Sequence, residues 1–275
     1  MVTKFVYPKL PAKFNLVIFR IGGYGLANSL FVYSKAIILS HKLRAELLPP
    51  AWLNFSAGPY IRGENDKRHY FGIFKFKLKW EFRKLIKLFI YRKNTKYVGG
   101  ISEYFEGLKF NSDLVKSHLT NSLSEFSKSN LPALNENVIG IHIRLGDYPS
   151  SRRTNLDWYM LIISRILSTQ FFENYQIRVF SDGSNNELAE LLKFDNLTIV
   201  RNNSAFNDIW ALSQCKLIIG SDSTFSAWGS YLGQVPIIFP KRHFGSVLDN
   251  PDFEIVLSDN YDELIPFLTR IIQKN

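Results

Sequence analysis

At 275 residues, 46% hydrophobic and 15% aromatic, the chain can bury a substantial core, which excludes global disorder. Its formal net charge of +10 is concentrated, because residues 62–96 carry 12 Lys plus Arg against 3 acids. The rest is near neutral, which argues against a generally basic nucleic-acid-binding protein and for one local patch. A single cysteine, Cys215, excludes an internal disulfide framework and any CxxC metal or redox site, and favours a reducing compartment. The opening MVTKFVYPKLPAKFNL lacks the apolar region of a secretory signal, and no run approaches the roughly 18 apolar residues of a membrane span. The expected location is cytoplasmic, soluble or at most peripheral on the inner face of the plasma membrane.

In chain order, Phe14 to Arg20 (FNLVIFR) predicts a strand. The Gly-rich turn IGGYGLANS follows, and then a helix from Leu26 to His41. A second strand over Ala45–Leu48 is cut off by Pro49 and Pro50, giving a βαβ start that favours a parallel sheet. Trp52 to Lys67 reads as irregular loop. Phe74, Phe76, Leu78, Trp80 and Phe82 have strand spacing, whereas Phe82, Leu85, Ile86 and Phe89 have helical spacing. The helical reading, from Trp80 to Tyr91, is preferred. A strand at Thr95–Gly100 and a helix at Asn111–Ser127 complete a first domain, 1–131, carrying the basic insertion 62–96, and the polar run Ser127–Asn137, with Pro132, is the candidate linker.

The second half, 138–275, alternates more regularly. Strands are expected at Val138–Arg144, Gln176–Ser181, Leu197–Val200, Leu217–Gly220 and Pro236–Phe239. Helices fall at Asn155–Thr169, Asn185–Leu192, Ala205–Gln214, Thr224–Leu232 and Asp262–Gln273. This pattern describes a doubly wound, Rossmann-like α/β domain.

Three strand ends there carry polar clusters: His142, Arg144 and Asp147 in VIGIHIRLGDY; Ser181-Asp182-Gly183; and Ser221-Asp222-Ser223-Thr224-Phe225. In a parallel sheet all three open onto one edge, where ligands bind. Taken singly, Ser223 and Thr224 read equally as N-caps, Asp182 as a turn residue and His142 as a core histidine. Together they point to an anion held by Arg144 and a helix N-terminus, with a carboxylate able to take a proton.

The turn Gly23-Tyr24-Gly25-Leu26-Ala27-Asn28 is an imperfect GxGxxG, with Asn28 in the third glycine position and Glu46 where a ribose-binding acid would stand. It keeps an NAD(P)-dependent oxidoreductase as the enzyme alternative. A non-catalytic glycan- or nucleic-acid-binding protein is the alternative of another class. GxxxxGK[ST], GxSxG and HExxH are absent.

Four blocks together resemble glycosyltransferase family 11, the bacterial α-1,2-fucosyltransferases. GIHIRLGDY resembles the motif HxRRGDY. DIWALSQCKLIIGSDSTFSAWGSYL resembles D-x-x-x-M-S-x-C-K-x-x-I-I-x-N-S-S-F-S-W-W-G-A-W-L. FSDG resembles FSDD, and GLANSLFVY is similar to GLGNQLFQY. The departures are Leu145 for the second arginine, Gly183 for the second aspartate, Ala227 for the first tryptophan, and Ala27 and Ser29 for Gly and Gln.

The resemblance implies a GT-B fold, two Rossmann-like parallel-sheet domains facing across a cleft. It implies an inverting transfer from GDP-fucose, or a related GDP-deoxyhexose such as GDP-colitose, to a glycan hydroxyl, with no cofactor and no required metal. Carried over by position, Arg144 stabilises the departing GDP, while Ser223, Thr224 and Phe225 hold the phosphates and pack near the nucleotide. His142 and Asp208 lie near guanine or ribose, Asp182 lies near the donor, and Gly25 and Asn28 belong to the acceptor side. Asp147 is the expected base, with Asp182 second. Surface polysaccharide or O-antigen synthesis is the expected context.

Segment 67–96 admits three readings: a solvated basic face, a nucleic-acid site, or contact with an anionic membrane. Aromatics interleaved with Lys and Arg favour the membrane, where a lipid-linked glycan acceptor would also reside; nucleic acid is not an expected partner.

Overall fold

The short apolar run Phe5–Pro8 forms strand β1 at the centre of the first sheet, with all four residues buried. It pairs in parallel with β4, Glu46–Leu47, and β6, Thr95–Val98. Helix α1, Leu26–Leu43, buries residues around most of its circumference, including Phe31, Val32 and Ile37, and ends at Arg44 in the left-handed conformation. A second small sheet joins β2, Phe14–Asn15, antiparallel to β3, Phe19–Ile21, and β3 parallel to β5, Leu53–Phe55. Helices α2, Gly58–Ile61, α3, Leu78–Ile90, α4, Ser112–Ser122, and α5, Glu125–Ser129, complete this part. The computed structural model describes residues 2–61, 69–70, 72–134, 137–146, 151, 153–202, 204–258 and 260–274. The chain divides into two units, Met1–Leu131 with Ser204–Phe206, and Pro132–Asn203 with Asn207–Asn275.

Several expectations for the first unit need correction. Strand β1 escaped the sequence reading because FVYP is short and ends in proline. The expected strand Phe14–Arg20 is a hairpin: Asn15 Oδ1 accepts from Val17 N at 3.1 Å, and Val17 turns with φ 69°. The stretch expected to be loop holds β5 and α2. The helix expected over Asn111–Ser127 breaks at Leu123, because Ser124 caps a new helix by accepting from Ser127 N at 3.1 Å.

The second unit is built on one six-stranded sheet. Its strands are β7, Val138–Ile143; β8, Gln176–Ser181; β9, Leu197–Val200; β10, Leu217–Ile219; β11, Ile237–Phe239; and β12, Glu254–Val256. Every pairing is parallel. The spatial order is β12-β11-β10-β7-β8-β9. Numbered within the unit and read from the β9 edge, this is 3-2-1-4-5-6, the Rossmann order. The sequence reading found five of these strands and missed β12, whose three residues begin with a charged Glu254.

β7 buries all six residues, as a strand covered on both faces must. Side chains alternate along it. Ile139, Ile141 and Ile143 join the core formed with α6, Leu156–Leu167, and α9, Leu264–Lys274. Gly140 and His142 point to the other face. There Gly140 lies against the end of α7, Ala205–Leu212, so closely that an added Cβ would sit 2.7 Å from Cys215 Sγ. The helix expected over Asn185–Leu192 is instead a short 3₁₀ turn at Ala189–Lys193. Among the described residues, no helix is long and apolar enough to cross a membrane.

Candidate functional site

The strand order reverses between β7 and β10, and in such sheets the crevice at their carboxyl ends binds ligands. His142 is the fifth residue of β7, and Ser221 lies just past β10. His142 Nδ1 and Ser221 Oγ are hydrogen bonded at 2.8 Å. On the same side, Phe225 in the first turn of α8, Thr224–Gly233, stacks on the imidazole with centroids 4.8 Å apart and planes 18° apart. Burial, then the nearby Arg144 charge, holds the His142 pKa far below its ordinary value, so the ring is neutral at pH 7. One histidine thus ties the end of β7 to the start of α8.

Arg144 follows β7 and pairs with Asp182, its Nη1 3.0 Å from Oδ2. The other Asp182 oxygen accepts from Leu145 N at 2.8 Å. Both carboxylate oxygens are therefore engaged, one with the Arg144 guanidinium and one with the Leu145 backbone. Gly146 is required by the same contact, since a Cβ there would lie 2.7 Å from Asp182 Oδ2. The departures Leu145 and Gly183 also meet: a Cβ on residue 183 would come within 2.6 Å of Leu145 Cδ1.

Ser223 caps α8, its side chain accepting from Phe225 N at 3.2 Å, and Thr224 is the first helical residue. The N-terminal, positive end of the α8 dipole therefore opens at the switch point. Asp208 lies in the first turn of α7 and accepts from Asn202 Nδ2 at 2.8 Å; because α7 follows β9, it is on the same carboxyl edge. Asp147 lies outside the described residues. No three His, Cys, Asp or Glu side chains cluster as metal ligands among the described residues.

The sequence missed the residues that brace these loops. Arg201 Nη2 donates to Gly183 O at 2.7 Å and to Asn185 Oδ1 at 3.1 Å, fixing the loop that carries Asp182. Arg153 Nη2 donates to Gly146 O at 3.1 Å. His243 Nδ1 is 2.7 Å from Asp222 Oδ1, next to the Ser223 cap. Nothing local in the sequence marks these pairings, which span 7 to 21 positions.

In the first unit, Gly25 stands at the N-cap of α1, and Asn28 lies in that helix's first turn. A Cβ on Gly25 would meet only Tyr70 Oη at 4.0 Å, so packing does not demand glycine there. It does at Gly23, where φ is 101° and a Cβ would lie 2.0 Å from Pro11 O. Fully buried Arg20 supports this turn, donating to Ala51 O at 3.2 Å and Gly22 O at 3.5 Å; it too was not foreseen. The turn follows β3 of the small mixed sheet, and Glu46 is bound by Lys87 Nζ at 2.6 Å. These features do not form the dinucleotide fingerprint of the oxidoreductase reading.

A family model described as "Glycosyl transferase family 11" matches residues 78–238. Among solved structures, the chain is similar to NodZ alpha-1,6-fucosyltransferase co-crystallized with GDP, at 13% identity and a TM-score of 0.51, over 86% of this chain and 94% of that one. It is similar also to fucosyltransferase NodZ from Bradyrhizobium, at 15% identity and a TM-score of 0.50, over 86% of this chain and 95% of that one. At these identities the likeness speaks for the fold alone, an α/β fold of the GT-B class. No curated protein matches the chain. The family match covers more than half of the chain and takes in β7, β10 and α8 together, and the chain accordingly belongs to glycosyl transferase family 11, as a glycosyltransferase.

Proposed function

We propose that the protein transfers fucose, or a related deoxyhexose, from a GDP-sugar to a glycan hydroxyl, in one inverting displacement without a required metal. The observation that carries the reading is the convergence of Arg144, His142 and the Ser223-capped start of α8 at the β7/β10 switch point. In this reading the acceptor oxygen attacks the anomeric carbon as the bond from that carbon to the β-phosphate oxygen breaks. Negative charge develops on the leaving GDP. Arg144 and the N-terminal end of α8, with Thr224 in its first turn, would stabilise it, since positioned donors and charges contribute most where charge develops.

The acceptor proton goes to Asp147, our choice of base; the engagement of both Asp182 oxygens favours it over Asp182. The plane shared by His142 and Phe225 suits the base or ribose of the nucleotide, and Asp208 lines the same edge. We assign the acceptor side to residues 1–131, with Gly25 and Asn28, and the donor side to residues 138–275. A lipid-linked acceptor, in surface polysaccharide or O-antigen synthesis at the cytoplasmic face of the membrane, fits the basic first unit.

The experiment is GDP release from GDP-fucose in EDTA over a panel of glycan acceptors, with product configuration read by NMR. An α-fucoside formed from the β-linked donor is the expected product. Release that requires added metal, or a β-fucoside, contradicts the mechanism.

A further inference from the structure

Helix α3 has an amphipathic sequence, but it is folded with its polar side inward. The residues it buries are Glu81, Lys84 and Leu88. Lys84 Nζ lies 2.5 Å from Glu81 Oε2 and donates to Pro49 O at 3.1 Å, while Lys87 reaches Glu46 at 2.6 Å. These directional bonds set the rotation of the helix about its axis. The consequence is an outward stripe of Leu78, Phe82, Leu85 and Phe89, spaced by four, three and four residues, with Ile86 beside it. Phe82 is 52% exposed and Phe89 80% exposed. A contiguous apolar face of this kind is a docking surface rather than the ordinary scatter of exposed hydrophobics.

The charges around the stripe identify what docks. From residue 69 to residue 100 the chain holds one acid, Glu81, and it is buried. Lys79 and Arg83 follow the stripe along one flank, and Arg92 and Lys93 stand exposed just beyond its C-terminal end. Large apolar side chains flanked along the chain by Lys79, Arg83, Arg92 and Lys93 match the interface of a bilayer bearing anionic headgroups. A second copy of the chain would bring the same cations against one another, at a cost.

We propose that α3 lies in the plane of an anionic membrane surface, inserting Leu78, Phe82, Leu85, Ile86 and Phe89, with Lys79, Arg83, Arg92 and Lys93 at the headgroups. This goes beyond the transfer reading and does not depend on it. The test is flotation of the full chain with phosphatidylcholine vesicles, with and without phosphatidylglycerol. Circular dichroism checks folding, and sedimentation reads the association state.

About tenfold or greater partition onto the anionic vesicles is expected, weakened by salt. Phe82→Ser with Phe89→Ser removes it while leaving the dichroism unchanged, and Lys79→Glu with Arg83→Glu abolishes the preference for anionic lipid. Equal flotation of wild type and the Phe82→Ser/Phe89→Ser variant overturns the proposal, as does no flotation on either vesicle. A concentration-dependent dimer dissolved by that variant, with no vesicle binding, assigns the stripe to a second copy instead.

Discussion

Helices α9 and α3 are both amphipathic, yet the two units use them in opposite senses. In the second unit α9 turns Leu264, Phe267, Leu268 and Ile271 into the core beneath a six-stranded sheet. In the first, α3 turns an ion pair inward and leaves its apolar stripe outside, over a sheet whose strands have two to four residues. Apolar patterning alone thus determines how α9 sits. For α3, hydrogen-bond partners on neighbouring segments, Pro49 and Glu46, decide the orientation. A polar contact so placed specifies geometry more than it adds stability.

The sharpest way to break this contrast is at Lys84. Lys84→Met leaves Glu81 buried without its partner, and urea unfolding should show a loss of about 3–5 kcal/mol. Replacing both, as Glu81→Leu with Lys84→Met, should return stability to near wild type, because the pair's attraction is offset by its desolvation. Equal losses in the single and double variants would contradict the orienting role.

In the second unit the largest effect belongs to activity. Arg144→Ala should lower the transfer rate about 10²–10³-fold, the usual effect of removing one positioned charge stabiliser, while the melting temperature barely moves. Gly140→Ala should instead cost about 1–3 kcal/mol through overpacking against Cys215 and Leu212, with no direct effect on the donor site.

His142 adds a pH signature. Its folded-state pKa is lowered, so below its ordinary value of about 6.5 the unfolded chain binds a proton that the folded chain refuses. Stability therefore falls as pH falls from about 6.5 toward the folded-state pKa, by up to about 1.4 kcal/mol per pH unit. His142→Gln should flatten that limb in denaturation measured between pH 7 and 5. The smallest effect is at the cap: Ser223→Ala should cost about 1 kcal/mol in the same assay.

What the sequence disclosed follows the same division. β7 and β8 are legible because VIGIHI is a nearly continuous apolar run and QIRVF alternates polar and apolar residues, each long enough to state a strand, and the Rossmann order then places His142 and Ser223 on one edge. The hairpin at Val17 and the break at Leu123 are not, because each depends on one side-chain bond, from Asn15 and from Ser124. The pairing of Arg144 with Asp182, 38 positions apart, needed the sheet register that sets Ile143 opposite Ser181. Helical spacing in α3 was readable, but the direction its apolar side faces was not, since Pro49 and Glu46 carry no mark of that role.

The proposed function requires that the β7/β10 switch point bind a guanine nucleotide through Arg144. Titration calorimetry with GDP, UDP, CMP and NAD, without added metal, on wild type and Arg144→Ala tests it most directly. Saturable binding selective for GDP, lost in Arg144→Ala, is the expected result. Binding of NAD in preference to GDP, or GDP affinity unchanged by Arg144→Ala, would contradict it.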